Sequence, residues 1–383
     1  MRRSIFNKIF LRISKVLRFI KIYGIGKTLF KAAGRSRGKI KILSLLLNKR
    51  KRNPDIGIIG CGQFTHSTLG YAITSKYGNR FLDCYDSDSK AAKSFAEFYN
   101  INDHSQDSRY IFDNEQIKYV YIASNHASHT DYAIEAISKN KTVYIEKPIA
   151  VNMEQLSNLI LSVKSSKKPV FAGYNRPFSK AIIELKKHVQ TNLSLPITLN
   201  CFISAHKLEI THWYRDPEEG TRICGNAGHW IDLAIHILSW TQLTDQWDIQ
   251  ITYSDSIEND DNLSINLTSS KGDLIVIVMT SRTEPFEGIN EKINFQHGHT
   301  ICKIDDFRSC VIWNKENLIK KRYWQKDIGD TKALYQPFEE KPFRDWDEIV
   351  KSSILTIHIA EMVKNNNRFS SFSFNESIQK ISS

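Results

Sequence analysis

Two α/β domains are predicted: a parallel sheet covered by helices, then an α+β half with an open, mainly antiparallel sheet. Three observations carry this. Short apolar runs alternate with helical stretches from Pro54 to Ala172. After Tyr174 the alternation gives way to long runs of β character. The first run, Ile56–Ile59, ends in Gly60-Cys61-Gly62-Gln63-Phe64-Thr65, a G-x-G turn leading into residues that can form a helix.

That turn is the place to begin. Gly60 allows a tight turn after the strand, and Gly62 lets backbone approach a pyrophosphate lying on the helix N-terminus. The third position is Thr65 rather than Gly or Ala, so the helix is expected slightly further from the strand. Such turns also join strands to helices with no ligand. The next run, Phe81–Tyr85, ends at Asp86, the distance at which a ribose-binding acid is expected. An Asp there accepts from ribose hydroxyls and repels a 2′-phosphate, which favours NAD over NADP. Asp86 or Asp88 can equally cap the helix Ser89–Tyr99.

The remaining elements of the first half are strand Tyr119–Ala123, helix Asp131–Ser138 and strand Thr142–Ile145. A helix through Val163 opens with Asn152 and Gln155 in a capping-box arrangement, and Pro169–Ala172 closes the half. Near-continuous apolar strands with helical crossovers mean a parallel sheet covered on both faces. The second half begins with a helix at Lys180–Val189. Strands are expected at Ile197–Ser204, Asp248–Tyr253, Leu263–Thr268 and Asp273–Thr280, the last two joined by a hairpin turn at Lys271-Gly272. Later strands are expected at Lys292–Phe295, Thr300–Ile304 and Cys310–Trp313. Helices are expected at His229–Trp240 and Asp345–Val363. The chain divides at residues 1–54, 55–175, 176–345 and 346–383: a basic arm, a dinucleotide-binding domain, an α+β substrate and oligomerisation domain, and a C-terminal helix and tail.

Composition bounds the function. The 383 residues are 41% hydrophobic and 25% charged, ordinary for a globular protein. The net charge of +12 is unevenly spread. Residues 1–54 hold 17 Lys and Arg and no acid, while the rest has 36 basic against 41 acidic residues. Nucleic-acid binding by the body is thereby excluded. In the arm Phe6, Ile9, Ile13, Leu17 and Ile20 recur at helical spacing among Lys8, Arg12, Lys15, Arg18 and Lys21. No uncharged stretch is long enough to span a bilayer. The expectation is an amphipathic helix in peripheral contact with an anionic membrane, and the alternative is an extension packed on its own acidic body. Six cysteines without C-x-x-C or zinc spacing suit reduced core thiols, no metal site and a cytoplasmic location, at the inner face of the membrane.

Two further clusters carry chemistry. Glu146-Lys147-Pro148 follows strand Thr142–Ile145, where an open parallel sheet faces its ligand. Lys147 can there hold a substrate oxygen and relay a proton, although E-K-P alone is more often a solvated loop. In the run from Gly225 to His236, His229 and Asp232 are three apart and share a helix face. A carboxylate beside an imidazole suits a general base. Mutually satisfied polar groups beneath the sheet are the plainer reading.

Taken together, the three signals resemble the family of glucose–fructose oxidoreductases, inositol dehydrogenases and rhizopine-catabolism proteins (Gfo/Idh/MocA), from about Asp55 to the C-terminus. The resemblance includes Ile122-Ala123-Ser124-Asn125-His126-Ala127-Ser128-His129, Gly173-Tyr174-Asn175-Arg176, the stretch from His212 to Gly220, and Ile304-Asp305-Asp306-Phe307-Arg308. The last two are similar to a branch of bacterial surface-polysaccharide enzymes acting on nucleotide-linked sugars. The resemblance implies hydride transfer between a sugar carbon and nicotinamide. Lys147 and His229 fall on the family's catalytic positions, with Asp232 assisting. Cofactor contacts are implied for Gly60, Gly62, Gln63, Phe64, Asp86, Ser124, Asn125, His129, Glu146 and Lys147. Substrate contacts are implied for Asn175, Arg176, Trp213 and Asn226, and homo-oligomers through the open sheet face. Two departures stand out: Gly225 replaces an Asp common four residues before the histidine, and Asn226 stands where related branches offer a Glu. An NAD-assisted lyase or glycosidase, and a membrane-docked scaffold with reduced chemistry, are the alternatives.

Overall fold

The computed structural model describes residues 2–36, 51–102, 104–189, 194–254, 257–340 and 344–382, the side chains of 2–10, 12, 51, 52 and 382 aside. Five strands form the first sheet: β1 (Lys51–Ile59), β2 (Asn79–Tyr85), β3 (Tyr119–Ile122), β4 (Thr142–Ile145) and β5 (Val170–Ala172). Their order is β2-β1-β3-β4-β5 and every pairing is parallel. The chain winds one way from β1 to β2 and the other way to β3. The strand ends between β1 and β3 are therefore the switch point at which such sheets bind ligands. Ile56, Ile58, Val120, Ile122, Val143 and Ile145 are all 0% exposed, as burial on both faces requires.

The second sheet has nine strands. They are β6 (Ile197–Ser204), β7 (Gln246–Tyr253), β8 (Leu263–Ser269), β9 (Leu274–Thr280), β10 (Asn290–His297), β11 (Thr300–Asp305), β12 (Ser309–Asn314), β13 (Asn317–Arg322) and β14 (Phe369–Ser373). The order is β13-β12-β11-β10-β6-β9-β8-β7-β14, antiparallel except for the parallel pair β6–β9. Strict alternation, as in Ile197, Leu199, Cys201 and Ile203 facing in and Phe202 facing out at 43% exposure, shows one covered and one bare face. β13 and β14 lie outside the expected strands. Leu318 and Phe369 are exposed, so neither strand carries the apolar alternation that marks the others.

Helix Gly228–Leu238 lies beneath this sheet and packs on helix Trp346–Lys364. The two cross at Gly228, where a Cβ would already stand 3.3 Å from Thr356 Cγ2. All six cysteines are buried thiols.

The N-terminal segment has one face left outward and another packed on the body. Residues 2–36 are helical with a break at Gly24 (φ 81°, ψ 164°). Phe6 and Ile9 have side chains outside those described. Ile13 and Leu17 stand 54% and 60% exposed, whereas Phe19, Ile22, Phe30 and Ala33 are buried against the body. Phe19 and Ile22, which pack, lie on a different side of the helix from Ile13 and Leu17, so the stripe is left facing outward.

Candidate active site

The C-terminal ends of β1, β3 and β4 and the start of helix Gly228–Leu238 enclose one cavity of about 900 Å³, towards the upper end of small-molecule sites. Its two ends are built differently.

At the first end Gly60 turns with φ 90°, and a Cβ there would lie 2.5 Å from the backbone of Ala123 and Ser124. Only glycine fits. A Cβ on Gly62 would meet nothing within 4 Å, because it would point into the open cavity. Residues Thr65–Leu69 then form a wide π turn before α-helix Gly70–Tyr77. Thr65 is fully buried in it, with Oγ1 unpartnered. The two aspartates after β2 divide their roles. Asp88 caps the helix by accepting from Lys90 N at 3.0 Å. Asp86 accepts from Cys61 N at 2.7 Å and from Asp88 N at 2.9 Å, which fixes its carboxylate beside the glycine turn on the cavity wall. Gln63 and Phe64 also line the cavity, Phe64 at 37% exposure.

The other end brings both domains together. Lys147 Nζ donates to Gly225 O at 2.7 Å, one turn before His229, and all three residues line the cavity. The place of the common Asp is filled: a Cβ on Gly225 would lie 2.6 Å from the Tyr214 ring and 2.9 Å from His126 Cε1. The Lys147 ammonium thus meets a carbonyl and, at 6.0 Å, the Tyr214 ring. His229 is half-buried with Nδ1 buried and unpartnered. Burial, then Arg176, Lys147 and His126, hold its imidazole well below its ordinary pKa, so it is neutral at pH 7. Asn226 lines the cavity with Oδ1 unpartnered.

Several expected site residues are committed elsewhere. Asp232, expected to assist His229, is fully buried and gives Oδ2 to Arg344 Nη1 at 2.7 Å; it does not line the cavity. The next turn carries His236, which pairs with Glu348 at 2.9 Å, and Arg344 ties the two acids into one buried network. Arg176 is 4% exposed and bonds Glu291 through Nε (3.2 Å) and Nη2 (3.0 Å), with Trp230 Nε1 donating to the same acid. Its charge is spent inside the protein although its edge borders the cavity. His129, 1% exposed, sets its ring nitrogens against Pro148 O (2.8 Å) and Ser124 O (3.2 Å). Burial lowers it to about 4. It braces two loops. Asn125 donates to Glu219 Oε1 at 2.7 Å, and Ser124 Oγ lies 2.8 Å from Ser128 Oγ. Asn175 accepts from Arg176 at 2.9 Å. Ser124, Asn125 and Asn175 keep a place on the cavity wall, as does Trp213, 44% exposed.

Glu146 also borders the cavity, accepting from Tyr144 OH at 3.2 Å and Lys147 N at 3.1 Å. Burial raises it to about 7 against the pull of Lys147. Sequence reasoning missed the parts played by His126 and Tyr214. His126 Nδ1 donates to Glu219 O at 3.0 Å, with its ring 4.6 Å from Trp213 and 4.7 Å from Tyr214. Both residues stand inside stretches that carried the resemblance, but their ring packing depends on the meeting of two domains. Asp330 of the second domain, another wall residue, gave no local signal.

Residues 55–174 match the family model described as the GFO_IDH_MocA oxidoreductase family, NAD-binding Rossmann fold. Over that stretch the chain is similar to the Gfo/Idh/MocA family. It is similar to Oxidoreductase P35 of Formosa agariphila, 26% identical over 212 residues that cover 53% of this chain and 61% of that protein. It is also similar to an inositol 2-dehydrogenase of Burkholderia cenocepacia, 25% identical over 149 residues covering 38% and 44%. The chain spans 61% and 44% of the length of these two relatives. Among solved structures, a levoglucosan dehydrogenase in complex with NADH and L-sorbose superposes with TM-score 0.69 at 13% identity, over 84% of this chain and 99% of that one. GenD2 from gentamicin A biosynthesis, in complex with NAD, gives 0.69 at 13%, over 85% and 98%. At that identity the likeness is one of fold.

The residues at the glycine-turn end of the cavity fit NAD. Gly62 leaves room where a Cβ would otherwise intrude, and Asp86 stands at the ribose distance with lone pairs to spare. Among the described residues of the cavity wall, the only Lys and Arg are Lys147 and Arg176. Both act on His229 by charge, at the far end from Asp86. Among the described residues of the cavity wall, no Lys or Arg is thus set beside Asp86 for a 2′-phosphate.

Proposed function

We propose that this chain is an NAD-dependent dehydrogenase that oxidises a secondary alcohol of a sugar or cyclitol. One observation carries the reading. Lys147 from the first domain and His229 from the second border the same cavity, joined through the Lys147–Gly225 hydrogen bond of 2.7 Å. Bound NAD would supply the hydride acceptor. The hydroxyl proton must leave as the hydride does, and the neutral imidazole of His229 is the group able to take it. Lys147 holds the same oxygen and stabilises the negative charge that develops on it. With Asp232 engaged by Arg344, no carboxylate among the described residues partners His229 Nδ1, so the proton path is assigned to Lys147 and His229.

The finer substrate reading is a nucleotide-linked sugar of surface polysaccharide synthesis. The resemblance of residues 212–220 and 304–308 supports it, as does Trp213, an exposed aromatic plane on the cavity wall. Incubation with NAD and a panel of UDP-, GDP- and dTDP-sugars beside free cyclitols tests this. Accumulating NADH is expected with a nucleotide sugar, and turnover of cyclitols alone would move the substrate. Sugar consumption without NADH would favour the lyase cycle.

Peripheral membrane contact at the inner face is supported by exposed Leu11, Ile13, Val16 and Leu17 among Lys15, Arg18 and Lys21. Among the described residues no helix is long and apolar enough to cross a membrane. Sedimentation with anionic vesicles at low salt, abolished by Leu11→Glu with Leu17→Glu, is the expected outcome. Homo-oligomers would use the bare sheet face with Phe202, Leu274 and Ile301, which light scattering of a Phe202→Lys variant tests. Residues 18–36 are best counted with the body and the arm as what precedes them.

A further inference from the structure

The break at Gly24 strands carbonyls that an unbroken helix would have used. The second domain satisfies two of them: Trp324 Nε1 donates to Lys21 O and Lys326 N to Ile22 O, each at 2.8 Å. Gln325 occupies the place a Cβ on residue 24 would need, so the chain passes there only as glycine. One turn on, Lys27 Nζ lies 2.9 and 3.0 Å from the two carboxylate oxygens of Asp330, a cavity-wall residue. Their side chains are 19% and 13% exposed, so water screens this pair only in part. Arg18 adds a contact to Glu287 at 3.3 Å, and Tyr23 OH donates to Glu287 O at 3.2 Å.

The same helix grips the first domain with its other residues. A Cβ on Gly26 would lie 2.8 Å from the Tyr71 ring, and Phe30 packs edge-on to Tyr71 and Phe98 at 5.3 and 6.1 Å. At Gly34 the backbone comes so near the π turn that a Cβ would stand 3.3 Å from Ser67 Cβ and 3.7 Å from Gln63 O. Gln63 is itself a cavity residue of the glycine turn. One helical segment therefore touches the cofactor turn of one domain and the cavity wall of the other.

We infer that residues 18–34 form an interdomain strap that sets the width of the cofactor cleft, with Lys27 as the residue that positions Asp330. Dinucleotide clefts between two domains open and close by small rotations about the connecting segments. A second connection fixed to both domains restrains that rotation and pre-organises the cavity. The inference rests on the NAD reading only for its binding readout.

The test uses the full chain with Lys27→Met, Lys27→Arg, Gly34→Val and, as a control at a 63% exposed position of the strap, Ile25→Ala. Two quantities are measured: the Kd for NADH by fluorescence titration, and amide hydrogen exchange without cofactor at residues 60–70 and 324–333. Lys27→Met is expected to weaken NADH by about fivefold or more, the lower range of energetic coupling between sites. It should also speed exchange at residues 60–70, in the domain Lys27 does not ion-pair with. Gly34→Val should speed exchange at 324–333, the reverse crossing. Lys27→Arg should restore Lys27→Met values to within about twofold, since the cation is kept, and Ile25→Ala should change neither quantity. If each variant loosens only the domain it touches, the strap is merely packed and the inference falls. Failure of the unaltered chain to bind NADH would overturn the cofactor reading and leave the exchange result to judge the strap.

Discussion

The two ends of the cavity differ in how their residues are spent. At the glycine turn the groups facing the cavity are backbone and one carboxylate: Gly62 faces open space, and Asp86 is pinned by two backbone N–H groups yet borders the cavity. At the His229 end the nearby charges mostly answer one another: Arg176 on the wall with Glu291 behind it, and Asp232, off the cavity, with Arg344. What remains for a ligand there is Lys147, His229 and the unpartnered Oδ1 of Asn226. A polar residue on a cavity's sequence motif is thus not yet a ligand-binding one; its partners decide.

The largest expected effect breaks the paired side. Arg176→Met leaves the Glu291 carboxylate buried without its cation, which costs about 3–5 kcal/mol. Denaturant unfolding should show it, and a loss below 1 kcal/mol would mean Arg176 is available to substrate after all. The open side is probed next. Gly62→Val places a side chain in the space left for the cofactor and should weaken NADH at least about tenfold, or 1.4 kcal/mol, with the unfolding midpoint little changed. Asp86→Ala should weaken NAD by a similar amount and narrow its margin over NADP. Equal NAD and NADP affinities in the unaltered chain would remove the ribose role.

The smallest effect is in the pH dependence of stability. Burial holds His126 and His229 well below 6.5 in the fold, whereas the unfolded chain takes up protons near that value. As pH falls below 6.5 the unfolded state therefore gains protons that the fold does not, and stability declines. Each such histidine adds up to about 1.4 kcal/mol per pH unit. Glu146 has the opposite sign: raised to about 7 in the fold, it binds a proton more tightly there, so its contribution is lost as pH rises from about 4.5 through 7. His229→Gln should flatten the acid limb by one proton, measured by urea unfolding at pH 5.5 and 6.5, and an unchanged slope would place the imidazole in ordinary solvent.

Much of the fold was legible because it is periodic. Alternation along Ile197–Ser204 and continuous apolar runs such as Val143–Ile145 each dictate their sheet. β13 and β14 were not, since Asn317–Arg322 and Phe369–Ser373 join the sheet by edge pairing and leave Leu318 and Phe369 exposed. In the site, Gly60, Gly62 and Lys147 were visible from local turn chemistry and position after a strand. The roles of Asp232, Arg176 and His129 were not, because their partners Arg344, Glu291 and Pro148 come from distant segments. Gly225 looked like a loss in the sequence. In the fold it makes room for Tyr214 and His126 and offers the carbonyl that holds Lys147. In the arm the spacing marks the outward stripe of Ile13 and Leu17, while the packing of Ile22 and Phe30 depends on distant partners such as Lys326 and Tyr71.

The central claim is that proton and oxygen chemistry rest on Lys147 and His229, while Asp232 serves the fold. The most direct measurement compares kcat for NAD reduction in His229→Asn, Lys147→Met and Asp232→Asn, with NADH affinity determined on the same samples. The account predicts losses of about 10²-fold or more in kcat for the first two with NADH binding retained. For Asp232→Asn it predicts a lowered unfolding midpoint with kcat within a few fold of the unaltered chain. A 10²-fold loss in Asp232→Asn with full activity in His229→Asn would contradict it.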